Sequence, residues 1–371
     1  MRTRARGTAG RGERQDWWRA RIPGSAVRGG KSTSAARATR GHPVRGQAIP
    51  GPGPGELAIL LPPGRSVPSS AVRPWSVVCG PPLVPSEPNS LPPNPRPPGV
   101  AAMAADRDGY ESLFLDHLTW PEVELALTSG KTTAVVAVGA TEQHGPHLPL
   151  CVDAELGTAL AWRVARNLGD ALVAPTIRVG CSEHHMGFAG TISVSPETLE
   201  AVCRDYCLSL ARHGFTDICL IPSHGGNFAP IRDMVPRLQA AVEEVNGACW
   251  VGAYTDLLGL VGLWRLVVEE ELGMGDRVGG HADIAEASEM LHILPELVRV
   301  DRAEAGRMGE LDQELVDRIF QKGLQAVTTN GILGDPRGMD AAVGEKLLET
   351  TARIITESFR EDAEPDGSAA L

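Results

Sequence analysis

The sequence predicts an α/β protein: a three-layer α/β/α sandwich around a mostly parallel sheet. Two observations carry that expectation. Short, wholly apolar runs recur along the chain, as strands buried on both faces require. Between them lie longer segments whose apolar residues fall three and four apart, joined by short links. Repeated β-α units of this kind give parallel strands with helices on both faces.

Taken in order, residues 134–138 (Ala-Val-Val-Ala-Val) form the first apolar run, closed by Gly139. Residues 154–168 follow as an amphipathic helix with Leu156, Leu160, Val164 and Leu168 on one stripe. Residues 171–177 read as a strand. Ser195-Pro196-Glu197 then opens a helix with a cap residue, Pro at the first position and an acid in the first turn. That helix is expected to bury Leu199, Val202, Tyr206 and Leu210 and to stop at Gly214. Residues 217–222 give the next strand, 229–245 the next helix and 248–254 a further strand. Helices at about 282–294 and 338–360 complete the expected core.

Composition divides the chain before any motif does. Of 371 residues, the first hundred hold 15 Lys+Arg against 4 Asp+Glu and 18 of the 29 prolines. The remainder holds 20 basic and 42 acidic residues, a net −22 hidden inside the overall −11. Gly-Pro-Gly-Pro-Gly at 51–55 and the proline run at 91–98 hold neither helix nor ladder. Residues 1–102 are therefore expected to be a disordered Pro/Gly/Arg-rich extension and 103–371 the functional domain, whose chain could begin at Met103. Gly29-Gly30-Lys31-Ser32 mimics the end of a phosphate loop, but the first glycine of that motif would fall on Ser25.

Several classes are excluded. No run approaches the ~18 apolar residues of a membrane helix, and an acidic core disfavours nucleic acid. The Arg-rich start has no amphipathic stripe, which argues against import. Seven cysteines without a CxxC pair read as reduced thiols of a cytoplasmic protein.

In open parallel sheets the site lies beyond the carboxyl ends of the strands. There the sequence collects Gly139-Ala140-Thr141-Glu142-Gln143-His144-Gly145-Pro146-His147, then Cys181-Ser182-Glu183-His184-His185, then Ser223-His224-Gly225-Gly226-Asn227. Glu142 and His144 are two apart and share one side of an extended segment. Asp153, taken alone, reads as a helix N-cap. Two carboxylates with two imidazoles suit Zn²⁺, Mn²⁺ or Fe²⁺. A further cluster, Gly279-Gly280-His281-Ala282-Asp283 with Glu286 and Glu289 beyond, reads first as an ordinary charged helix face. His281 and Glu286 converge only if His281 stands outside the first helical turn.

These runs resemble the signature of the creatininase (creatinine amidohydrolase) family: residues 139–150 with Asp153, then 224–227, then 281–288, with 191–193 and 331–336 as further similar segments. The resemblance spans roughly 110–360. It implies the α/β/α fold, a two-metal site with Zn and/or Mn (Fe being a further choice) and amide hydrolysis. It implies Glu142, His144, Asp153 and His224 as metal ligands, with Asp153 bridging. In creatininase itself a glutamate stands two residues after the matching histidine. Here that position is Gly226, and Glu286 is the candidate replacement, falling on the glutamate of the third run. Asp283 and Ala287 depart from that run, and the creatininase tryptophans find no matching position.

The implied chemistry is a hydroxide held between two metals about 3.5–4 Å apart attacking a polarised amide carbonyl. His281 is the expected proton donor to the departing nitrogen, with Glu286 beside it. Glu183, His184, His185 and Asn227 are expected to bind substrate. The expected reaction is hydrolysis of a non-peptide C–N bond in a cyclic amide or formamide. The alternatives are trimming of a small modified precursor peptide of the mycofactocin type, or a non-catalytic metal-holding oligomer subunit. The resemblance further implies a homo-oligomer, a hexamer, acting on a small molecule without nucleic acid or membrane.

Overall fold

The computed structural model describes residues 113–363. Contacts divide the chain into Met1–Asn94 and Pro95–Leu371, and every described residue belongs to the second unit. The expected extension and the phosphate-loop mimic lie outside the described residues.

The described part opens with α1 (Trp120–Thr128), whose Thr119 cap is closed by Glu122 reaching back to the Thr119 amide at 2.6 Å. Strand β1 (Thr133–Val138) is buried at every position. Helix α2 (Val152–Leu168) follows, then the short β2 (Ala171–Val173). Helix α3 (Pro196–Arg212) is capped by Ser195, which accepts from the Thr198 amide at 3.2 Å. Then come β3 (Asp217–Pro222), α4 (Phe228–Glu243), β4 (Trp250–Ala253) and α5 (Leu257–Leu272). A second sheet pairs β5 (Val278–His281) antiparallel to β6 (Leu333–Gly334), and α6 (Ile284–Ile293), α7 (Gln313–Lys322) and α8 (Ala341–Ala363) complete the fold.

The main sheet runs β2-β1-β3-β4, all parallel, with Thr133 level with both Ala171 and Asp217. Alternate residues of each strand face opposite layers. Val135, Ala137, Cys219 and Ile221 pack with α2, α6 and α8, while Ala134, Val136, Ile218 and Leu220 pack with α3 and α4. Burying a valine such as Val135 or Val136 stabilises the fold by roughly 1.5–3 kcal/mol, and both are fully buried. The three-layer expectation is met.

Four local expectations are corrected. The strand at 171–177 ends at Val173, because Pro175 has no amide to continue the ladder; Ile177 returns only as a single bridge to Val138. Val202 lies at the surface, 37% exposed, and α3 buries Cys203 and Cys207 instead. Asp153 is no cap: the helix starts at Val152, so its carboxylate sits in the first turn, buried. Helices α1, α5 and α7 were not expected. Among the described residues no helix is long and apolar enough to cross a membrane.

Candidate metal centre

The loop after β1 delivers Glu142 and His144, and the start of α2 delivers Asp153. They meet because Gly139 lets the strand end lie against that helix start; a Cβ at 139 would stand 2.8 Å from the Ala154 backbone. The loop after β3 adds His224, and α6 adds Glu286 across the end of the sheet. All five residues are buried, none more than 5% exposed.

Their atoms converge on two points that share Asp153. Asp153 Oδ1 lies 3.2 Å from His144 Nε2, and Oδ2 lies 3.4 Å from His224 Nδ1. Glu142 Oε1 stands 3.2 Å from His224 Nδ1, and Glu286 Oε2 stands 3.8 Å from His144 Nε2. Two groups result, Glu142–Asp153–His224 and His144–Asp153–Glu286, each with its ligand atoms within 4.8 Å of one another. Both imidazoles are aimed from behind. His144 Nδ1 faces the Glu142 carbonyl at 3.2 Å and His224 Nε2 the Cys181 carbonyl at 3.2 Å, which turns the opposite nitrogen of each ring toward the shared centre.

Both Glu142 oxygens, His144 Nε2 and Asp153 Oδ2 are buried without a hydrogen bond of proper geometry. Buried polar groups are almost always paired, so this cluster of bare donors fits divalent cations. The electrostatics agree. Burial alone would lower His144, but Asp153, then Glu286 and Glu142, outweigh it and hold the imidazole at about 9. Burial raises Glu286 to about 8, opposed by His144 and reinforced by Asp153 and Asp283. Burial opposes a charge on His224 too, yet Glu142 and Asp153 raise it well above 6.5. A cation placed among these groups would release both carboxylate and imidazole from their protons.

The structure removes the charged-face reading of Glu286 and Glu289: they are 5% and 1% exposed. His281 ends β5 and α6 begins only at Ile284, so His281 stands outside the helix and meets the centre, grouped with Glu142 and His144. Ala282 between them takes a left-handed φ of 53° to make that corner. Asp283 ties the corner down, accepting from the Gly279, Gly280 and Ala285 amides at 2.7–2.8 Å.

The substrate-binding expectations divide. His184 and His185 are buried and line the cavity beside the centre. His185 goes further, placing Nε2 3.3 Å from Glu142 Oε1. Glu183 is exposed and does not line the cavity. Asn227 is corrected to a bracket: its amide donates to the Val138 and Gly139 carbonyls at 3.0 Å, and its oxygen accepts from the Cys181 amide at 2.9 Å. Those bonds tie three loops together and leave it out of the cavity lining.

Gln143 was the residue sequence reasoning passed over. Its side-chain nitrogen lies 2.9 Å from His281 Nε2 and 3.0 Å from His185 Nδ1, while its oxygen accepts from the Gly145 amide at 3.0 Å. Its position between Glu142 and His144 was the available signal. A cavity adjoins the centre, walled by Phe228, Tyr254, Leu260, Trp264, Phe320 and Leu324.

The family model described as Creatininase, creatinine amidohydrolase, matches residues 116–359. The chain belongs to the creatininase family. It is a hydrolase of that family with an α/β fold. It is similar to the mycofactocin precursor peptide peptidase of Mycobacterium ulcerans (strain Agy99), 33% identical over 67% of this chain and 89% of that protein. The creatinine amidohydrolase of Pseudomonas putida is 29% identical over 69% of this chain and 99% of its own length. A solved creatininase mutant of Zn-Zn type superposes with a TM-score of 0.56 at 26% identity, covering 67% of this chain and 98% of that one. Gly226 is closely packed: a Cβ there would stand 2.3 Å from the Cys181 carbonyl and 2.4 Å from His224 Nε2. A larger side chain has no room there, while Glu286 of α6 groups with His144 and Asp153.

Proposed function

We propose that this creatininase-family hydrolase opens an amide C–N bond with two divalent ions, zinc or manganese with iron a further choice, held by Glu142, His144, Asp153, His224 and Glu286. The carrying observation is Asp153, whose two oxygens face two differently directed imidazoles, 3.2 and 3.4 Å away. Bare carboxylate and imidazole donors suit these metals, and the similar creatininase of Zn-Zn type supports zinc. Bound there, the ions would supply Lewis acidity to a water and to the substrate carbonyl.

The chain's own residues do the rest. Asp153 and the two flanking carboxylates fix the charge of the site, and His144 and His224 hold their rings by bonds to backbone carbonyls. His281, kept neutral by burial and the neighbouring His144, is free to take a proton from water and pass it to the departing nitrogen. Gln143 holds its Nε2, leaving Nδ1 for that exchange. His184, stacked on His224 at 5.5 Å and tilted against Phe320 at 4.4 Å, joins the centre to the apolar wall.

The favoured substrate is a cyclic amide or formamide. A second reading, removal of terminal residues from a small modified peptide, is favoured by the apolar walls of the cavity and by the similarity to the mycobacterial peptidase. Amine release from creatinine, formamides and short peptides by zinc- or manganese-loaded protein, each against a chelated control, separates them. Turnover of none, with two metals bound, would support a non-catalytic subunit.

The buried free thiols Cys181, Cys203, Cys207, Cys219 and Cys249 fit a cytoplasmic protein. Helix α1 offers Trp120, 78% exposed, and Leu125, 66% exposed, as an apolar surface for a homo-oligomer, which light scattering would size against a hexamer.

A further inference from the structure

The cavity continues past the metal ligands. On α2, Leu156 and Leu160 line it one and two turns beyond Asp153, and on α6 Glu289 lines it one turn beyond Glu286; Trp264 and Ile355 close it from α5 and α8. Glu289 is 1% exposed, and its Oε1 has no hydrogen-bond partner. Leaving such a group unpaired is costly. The nearest cationic candidate, Arg163, is engaged elsewhere: its Nε donates to Glu349 at 3.0 Å and its Nη1 to the Ala159 carbonyl at 3.1 Å.

The lining contains four acids (Glu142, Asp153, Glu286 and Glu289) and neither Lys nor Arg. Three of the four belong to the metal centre. The fourth is surplus to it and stands behind apolar walls, about 5 Å farther along its helix. We propose that Glu289 is a specificity residue that receives a primary amine at the far end of the substrate, on an apolar chain whose amide lies at the metal centre. Which end of the substrate lies at the metals rests on the amidohydrolase reading. A carboxylate-ended chain meets repulsion there, and a methyl-ended one leaves the acid unpaired. Burial, with Glu286 and Asp283, pushes the free Glu289 well up. An arriving alkylammonium supplies the positive charge that the buried carboxylate lacks, forming an ammonium–carboxylate pair.

The test is binding rather than turnover. Zinc-loaded protein is titrated calorimetrically with ω-aminoalkanamides of three to six carbons, each paired with the alkanamide carrying methyl in place of the amine. At the matching length the amine is expected to bind at least about tenfold tighter. Glu289→Leu is expected to remove the preference and Glu289→Gln, the near-isosteric variant that guards against a folding failure, to reduce it. No preference at any length, or a preference that survives both substitutions, overturns the proposal. A preference that follows Glu289 while no amide in the series, nor creatinine, a formamide or a peptide, is hydrolysed would instead count against the amidohydrolase reading.

Discussion

Asp153 is the residue that the two proposed halves of the centre share. Glu286 belongs to the group that contains His144, whereas Glu142 and His224 form the other. Glu286→Gln is therefore expected to lower bound metal from two ions per chain to one by elemental analysis. Glu142→Ala and His224→Ala are expected to lose metal and activity together. Protons compete for the same atoms. In the chelated protein His144 rises to about 9 and Glu286 to about 8. The His144 contribution is complete below its unfolded value of about 6.5 and is lost as pH climbs through 9, on the order of 3 kcal/mol. The raised Glu286 also makes stability fall with pH, from about 4.5 to 8. Melting of chelated protein should thus decline steadily from pH 6.5 to 9, while zinc affinity rises as the ligands deprotonate. A flat profile in the chelated protein would contradict the assigned surroundings of His144.

At the scale of elements, the site is a property of strand ends. The loops after β1 and β3 and the first turn of α2 were legible because wholly apolar strands ending in Gly, Pro and a polar cluster leave few other arrangements. The third element was harder. Spacing alone set Glu286 on an exposed helix face, and only the corner at Ala282 turns His281 and Glu286 to the same centre. Helix α5 went unread because its apolar residues run nearly all round, without the clear stripe that marks α2, and the wall bearing Trp264 went with it. Gly226 is the element-scale test: Gly226→Ala puts a methyl against the Cys181 carbonyl and His224. It is expected to cost about 1–3 kcal/mol of stability and to lower metal affinity, read by thermal melting and metal titration. Unchanged values would show that this loop is not closely packed.

At the scale of the molecule, the division seen in composition also marks where the chemistry lies. Every proposed ligand lies between Glu142 and Glu286, inside the acidic portion, and the family match begins at residue 116. We propose that residues 103–371 are the functional domain; a chain begun at Met103 is expected to keep the melting temperature, metal content and activity of the full chain. The central claim is that two ions at the shared Asp153 make this protein a hydrolase, and metal-dependent turnover tests it most directly. Protein stripped by chelator and returned to two equivalents of zinc or manganese should recover amine release from its amide substrate in step with metal bound. Full activity in the metal-free preparation would contradict the account.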